Sequence, residues 1–229
     1  MLWTKAWLET RWRLALIVGI FAALLTLLAL ASPAPGPTNN NALASIGLDC
    51  VLGCIVLAGA GIQTQPVFQT VRGVHASMTF TLALPVSRLR LLFVRASFGF
   101  FEALAFLALV CCAEWFFLPF IRASATPTDI PKMIVECVSF GAAAYSLSVF
   151  FSALFDLIWQ MYATMLTIGA LWFLFSRLHL PRSMDIFRLM TGDSPLVTHN
   201  LYLGRIGVSG TLALVSLAAA ACIVRTREY

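Results

Sequence analysis

Charged residues are scarce in this chain: only 11% of its 229 residues are Asp, Glu, Lys or Arg, whereas 60% are hydrophobic. A soluble domain carries roughly 25% charged residues, because its surface has to face water. The mean hydropathy of +0.90 reflects the same imbalance. Several apolar runs reach about 20 residues, the length that crosses ~30 Å of hydrocarbon. The scarcity of charge therefore excludes a soluble globule and predicts an all-α, multi-span integral membrane protein.

Other absences argue against enzymatic and cofactor functions. The chain has no GxxxxGK[ST] phosphate-binding loop, so ATP hydrolysis cannot be its own activity. Its three histidines, His75, His179 and His199, fall in predicted loops, which leaves none within a span to bind haem or a metal ion. The net charge of +5 comes from arginines at the ends of apolar runs, not from a nucleic-acid-binding patch. We expect no catalytic residue, no metal, no cofactor in this chain and no nucleic-acid partner.

The apolar runs define the predicted architecture. Residues 1–13 predict an amphipathic helix at the headgroup level, because apolar and charged side chains alternate there at helical spacing. The first run is longer than the ~7–15 residues of a signal-peptide core, so we expect it to be a retained span. The stretch 133–176 is too long for one crossing and is divided near Asp156. Six spans are predicted, at about 14–32, 43–62, 91–118, 133–154, 157–176 and 206–224.

Orientation follows from the distribution of lysine and arginine. If the N-terminus is cytoplasmic, nine basic residues face the cytoplasm: Lys5, Arg11, Arg13, Arg72, Arg88, Arg90, Arg95, Arg225 and Arg227. Six face the other side: Arg122, Lys132, Arg177, Arg182, Arg188 and Arg205. This bias, together with the basic flank of the first span, predicts that both termini are cytoplasmic.

The loop between the second and third spans is the most informative segment. No acidic residue occurs between Asp49 and Glu102, while four arginines do. Pro66 and Pro85 delimit a stretch that could form a short helix parallel to the membrane, and Ser87 could cap the next helix. Residues 66–90 therefore predict a cationic cytoplasmic elbow that docks on a soluble partner, although an ordinary positive-inside loop has a similar composition.

The segment FTLALPVSRLRLLFVRASFGFFE, residues 80–102, resembles the membrane subunits of ABC-2-type (type V) ABC transporters. The resemblance is carried by a Leu-Pro-Val-Ser-Arg signature and by the basic and acidic residues that follow it: Leu84, Pro85, Val86, Ser87, Arg88, Arg90, Arg95, Gly99 and Glu102. KAWLETRWR, residues 5–13, looks like the amphipathic connecting helix of that family. One difference is that many relatives have an acidic residue near the start of the coupling segment, where this chain has Gln69, Thr70 and Arg72.

The resemblance implies an ATP-driven exporter of which this chain is the permease subunit, located in a bacterial inner membrane. Each of two permeases, identical or merely related, would rest on a soluble ATP-binding cassette subunit that carries ATP and magnesium. The elbow would transmit force through six residues: Arg72, His75, Pro85, Ser87, Arg88 and Arg90. Lipids, peptides, antibiotics and ions all remain open as substrates. A stand-alone secondary transporter and a membrane anchor for another complex are the competing interpretations, and the chain shows neither inverted repeats nor spans with a central proline.

Glu102 is the deepest acid in the predicted spans, ~10 Å past Arg95 by helical rise. An ionised acid at the membrane centre costs on the order of 2.5–3.5 kcal/mol unless it is paired or faces water. We expect Glu102 to face the bundle or a cavity, either on a substrate path or at a gating contact, or as a packed residue paired with an arginine or a backbone group.

Three other acids and a group of small residues have structural interpretations. Asp49, Glu114 and Glu136 are expected near the outer membrane interface, and the i,i+4 spacing of Lys132 and Glu136 allows a weak ion pair between them. Small residues on one face of the second span predict a close helix-packing seam within the protomer or the dimer: Cys50, Gly53, Cys54 and Ala58. In similar exporters the outer loop, here 177–205, caps the exit path, but a surface connector would have the same composition.

Overall fold

The described part of the chain is helical throughout. The computed structural model describes residues 2–31, 51, 53–55, 57, 88–117, 126–155, 157–178, 180–189, 193 and 195–226, and these contain helices and turns but no strand. The helices are α1 (Leu2–Ala31), α2 (Arg88–Phe117), α3 (Asp129–Ser152), α4 (Leu157–Leu178), α5 (Pro195–Thr198) and α6 (Leu203–Thr226), with a 3-10 turn at Ile186–Leu189. The described residues between 51 and 57 are helical as well. The prediction of an all-helical fold is confirmed for these residues.

Four of the described helices are long and apolar enough to cross a membrane: Leu92–Phe117 in α2, Asp129–Ser152 in α3, Trp159–Leu178 in α4 and Leu203–Thr226 in α6. A shorter apolar stretch, Leu14–Leu27, lies within α1. This is the architecture of a multi-pass membrane protein. Most of the predicted second span, 43–62, lies outside the described residues.

The N-terminal segment and the first apolar run form one helix. Residues 1–13 were predicted as a separate amphipathic element, but α1 continues from Leu2 to Ala31 without interruption. Its only glycine is Gly19 and it contains no proline, so nothing in the sequence interrupts the i→i−4 backbone hydrogen bonds that run past Arg13 and Leu14.

α3 is the central helix, and more of its surface is buried than that of any other candidate span. It packs against α2, α4, α5, α6 and the 3-10 turn. The buried core around it includes Phe106 and Leu107 of α2 and Tyr145 and Val149 of α3. Much of α4, by contrast, is exposed, including Trp159, as expected for a helix that faces lipid or another chain.

Side-chain contacts fix the direction of α1 and α2. The ring of Trp7 lies 5.9 Å from that of Phe98, and the ring of Phe21 lies 5.9 Å from that of Phe106. Residue numbers increase together along both helices, so α1 and α2 are parallel.

The remaining long helices alternate in direction. α3 is antiparallel to α2 and to α4. The N-terminal half of α3 pairs with the start of α6, so these two helices are parallel. The bundle therefore has two ends. The Arg88 end holds the first residues of α1, α2 and α4 and the last residues of α3 and α6; the Asp129 end holds their opposite termini.

Candidate functional site

The predicted coupling residues are only partly described. Arg72, His75, Pro85 and Ser87 lie outside the described residues. Arg88 is the first residue of α2, and Arg90 is exposed in its first turn, at the Arg88 end of the bundle.

Glu102 lies in the middle of α2 with 6% of its surface exposed, on the side of the helix that packs within the bundle. It is close enough to Tyr145 of α3 to act on it electrostatically. The Tyr145 hydroxyl donates a hydrogen bond of 2.8 Å to the Ala96 carbonyl, and its ring lies 5.7 Å from that of Phe100. Gly99 permits this contact, because a Cβ there would be 2.6 Å from the Tyr145 hydroxyl oxygen. Glu102 thus belongs to a tight α2–α3 contact.

A second group of buried polar residues connects α3 and α4 near the Arg88 end. Gln160 Nε2 donates to Ser148 Oγ at 2.8 Å, and Ser148 Oγ donates to the Ile55 carbonyl at 3.4 Å. Thr164 Oγ1 donates back to the Gln160 carbonyl at 2.7 Å. Ser148, Gln160 and Thr164 lie within apolar runs of the sequence, and this is the signal that could have identified the group.

The small-residue seam brings three helical elements together. A Cβ on Gly53 would overlap the Phe106 ring of α2. A Cβ on Gly141 of α3 would lie 3.1 Å from Cys54 Sγ, and Cys54 itself is fully buried. Two members of the predicted seam lie outside the described residues: Cys50 and Ala58.

A polar cluster joins the N-terminus of α3 to the segment before α6. Asp129 Oδ1 accepts a hydrogen bond from Lys132 Nζ at 2.8 Å, and Asp129 Oδ2 lies 2.7 Å from His199 Nδ1. The Thr126 hydroxyl also donates to Oδ2, at 2.7 Å. Lys132 Nζ donates in addition to the His199 carbonyl at 2.8 Å. His199 has a φ of 58°, a left-handed conformation in which histidine is enriched among non-glycine residues.

Two turns after Asp129 along α3, Glu136 forms a buried ion pair with Arg205, with 3.2 Å between Oε2 and Nη1. Glu136 Oε1 accepts from the Tyr202 backbone N–H at 2.8 Å. Arg205 donates to the carbonyls of Asp193, at 2.8 Å, and Arg182, at 3.1 Å, and its guanidinium lies 4.3 Å from the centre of the Tyr202 ring. A pair held by this many partners attaches the described residues of the 177–205 loop firmly to α3 and α6.

The structure corrects the predicted pairing of Glu136. Lys132 contacts Asp129, one turn earlier, and Glu136 contacts Arg205 on another helix. Glu136 and Glu114, which are expected near the membrane interface, lie in the halves of α3 and α2 nearest the Asp129 end and are buried in the bundle, with 2% and 1% of their surfaces exposed. The face of α3 that carries Glu136 packs against α6. Burial there favours Arg205 as the partner of Glu136, because the Arg205 guanidinium makes several hydrogen bonds at once.

The 177–205 loop packs into the bundle at the 3-10 turn. The Phe187 ring lies 5.8 Å from that of Phe140 in α3 and 5.5 Å from that of Phe175 in α4. Arg188 of the same turn is bound by Asp193 and Asp185 at 3.1 and 3.3 Å. The hydrogen bonds that Arg188 donates, first to Asp193 and then to Asp185, raise the pKa of its guanidinium above the ordinary value, so this side chain stays charged.

Among the described residues, no group of three or more His, Cys, Asp or Glu side chains could hold a metal ion. Comparison with protein-family models, with curated proteins and with solved structures finds no match to this chain. The residue pattern and the helix geometry are therefore the evidence for a function.

Proposed function

We propose that this chain is the permease subunit of an ATP-driven ABC exporter of the ABC-2 (type V) kind. The observation that carries the proposal is the Leu-Pro-Val-Ser-Arg segment, 84–88, whose last residue is the first residue of α2. A coupling elbow needs this position, since force applied to it would pass directly into a long helix.

The helix directions support a six-span plan. Because α1 and α2 are parallel, a chain that crosses the bilayer in both of them has to return between residues 32 and 87. The buried helical residues between 51 and 57 lie within that interval and pack on α2 and α3. One further span there brings the total to six and puts both termini at the Arg88 end.

The charge distribution supports a cytoplasmic Arg88 end. Arg11, Arg90 and Arg225 are exposed at this end. At the Asp129 end, Lys132, Arg188 and Arg205 contact acidic side chains, which lowers the local positive charge. Under the positive-inside rule the elbow then faces the cytoplasm of a bacterial cell, where a soluble ATPase can reach it.

In this function the ATPase partner binds ATP and Mg²⁺, and the chain itself performs no catalysis. Closure of the ATPase pair pushes the elbow and tilts α2. The contact of Ala96 and Gly99 with Tyr145 then passes the movement to α3. A second permease, identical or related, completes the transporter.

The first test is co-purification with the soluble ATP-binding cassette subunit that this function requires. We expect the two to form a complex in detergent, and Arg88→Glu to weaken it by about tenfold or more, because reversing a contact charge costs more than 1.4 kcal/mol. Arg182→Glu is the matched control, since Arg182 is an exposed arginine at the opposite end. Recovery of the wild-type chain alone, or equal loss of the ATPase with both variants, would contradict the proposal.

A further inference from the structure

Two cysteines on neighbouring helices face each other inside the bundle. Cys111 lies in the second half of α2 and Cys137 in the first half of α3. Their thiols are hydrogen-bonded to each other, and 5% and 6% of their surfaces are exposed. Neither cysteine is part of a disulfide. Thiols that touch across a helix contact meet the first requirement for a disulfide, which is that the two side chains point towards each other.

The packing of α2 on α3 explains why these two side chains meet. Leu107 of α2 lies against Gly141 of α3, where a Cβ would overlap the leucine side chain. Residues four positions apart share one face of a helix. Because α2 and α3 are antiparallel, one turn from that contact towards the Asp129 end leads to Cys111 on α2 and to Cys137 on α3. The contact between the thiols is therefore the next layer of the same helix interface.

The cysteine pair lies nearer the Asp129 end of the bundle than the Arg88 end. At 1.5 Å per residue, Cys111 is about 9 Å from Phe117, the last residue of α2. Cys137 is about 12 Å from Asp129, the first residue of α3. The active site of a folded oxidoreductase cannot reach thiols buried at this depth, but a small uncharged molecule can. The position of the pair therefore calls for a small oxidant such as a peroxide.

We propose that Cys111 and Cys137 form a reversible disulfide that joins α2 to α3, with a peroxide as the oxidant. The sulfur of one cysteine attacks a peroxide oxygen, the O–O bond breaks, and a sulfenic acid and one water result. The sulfur of the other cysteine then attacks the sulfenic sulfur, the S–S bond forms and a second water leaves. The two thiols lose two electrons and two protons, which the peroxide takes up as it becomes two waters.

Burial and contact act on different steps of this reaction. Burial slows the first step, because the thiolate is the reactive form and apolar surroundings disfavour it. Contact accelerates the second step, because the second thiol already lies beside the sulfenic acid. Cys112, the next residue of α2, is exposed and should therefore react first with peroxide without being the residue that is cross-linked. The disulfide restrains α2 against α3, and it does not depend on the exporter function.

The test is peroxide treatment of the full chain in phospholipid vesicles, followed by peptide mapping without reduction. We expect a cross-linked pair of peptides, one containing Cys111 and the other Cys137, which separates when dithiothreitol is added. Because Cys111 and Cys112 are adjacent, Cys111→Ser and its matched control Cys112→Ser assign the bond: the first should abolish the cross-link and the second should leave it unchanged. Absence of a cross-link under conditions that fully oxidise Cys112, or its survival in Cys111→Ser, would overturn the proposal.

Thermal unfolding provides a second readout that begins with the unmodified chain. A disulfide between α2 and α3 closes a loop and lowers the entropy of the unfolded chain. Peroxide should therefore raise the unfolding midpoint, and dithiothreitol should restore it. We expect no rise in Cys137→Ala and the wild-type rise in Cys222→Ala, whose cysteine is exposed in α6. An equal rise in both variants would assign the effect to oxidation elsewhere in the chain and would contradict the disulfide.

Discussion

At the scale of single residues, Asp129 and Glu136 of α3 each form an ion pair, and the two pairs contribute differently to the stability of the protein. Glu136 and Arg205 are almost fully buried, so removal of one leaves the other as an uncompensated charge in a low-dielectric environment. Lys132 is about one-third exposed, and its contact with Asp129 is weakened by solvent.

We therefore predict that Glu136→Ala destabilises the protein by about 3–5 kcal/mol. Lys132→Ala should lower stability by roughly 0.2–1 kcal/mol, as for exposed ion pairs. Denaturant titration of the two variants in the same detergent measures the difference. A loss with Lys132→Ala as large as that with Glu136→Ala would mean that the Glu136–Arg205 pair is not the one that holds the 177–205 loop.

The Glu136–Arg205 pair shows what residue spacing can and cannot predict. Spacing along a helix identifies partners three or four positions away, and it indicated Lys132. The actual partner is 69 positions away, on a helix whose contact with α3 depends on the packing of the whole bundle. Charges of both signs in the loops at 119–132 and 177–205 were the only sequence signal that charged contacts would form at this end.

At the scale of elements, the apolar runs locate helices but not all of their ends. The predicted spans 91–118, 133–154, 157–176 and 206–224 correspond to α2, α3, α4 and α6 within a few residues. The boundary predicted at Leu14 is not a helix end. The hydropathy changes there, but no residue at that position interrupts the helix, which continues to Ala31. Where polarity and chain geometry change together, as between Ser152 and Leu157, the boundary is predictable.

The close contact at Gly53 gives a prediction about packing between elements. Gly53→Ala should destabilise the fold by about 1–3 kcal/mol, because the added methyl group overlaps the Phe106 ring in a filled core. Gly19→Ala is the matched control: nothing lies within 4 Å of its Cβ position, and alanine is the better helix former. Thermal unfolding in one detergent should show a lower midpoint for the first variant and an equal or higher midpoint for the second. The reverse order would place the 51–57 segment elsewhere in the bundle.

At the scale of the whole molecule, the parallel arrangement of α1 and α2 constrains the topology more than any hydropathy profile does. The sequence predicts a return crossing from an apolar run alone, whereas the ring contacts make one necessary if α1 and α2 both cross the bilayer. The count of basic residues then decides which end is cytoplasmic, and that step is testable without reference to activity.

We predict that residues 75 and 199 lie on opposite sides of the membrane, 75 in the cytoplasm and 199 outside. His75→Cys and His199→Cys can be compared by labelling with a membrane-impermeant maleimide, and the unmodified chain serves as background because its cysteines lie in or beside the predicted spans. About half of the His199 side chain is exposed, so His199→Cys should react in intact cells. His75→Cys should react only after permeabilisation. Labelling of His75→Cys in intact cells would place the elbow out of reach of any cytoplasmic ATPase and would refute the exporter function.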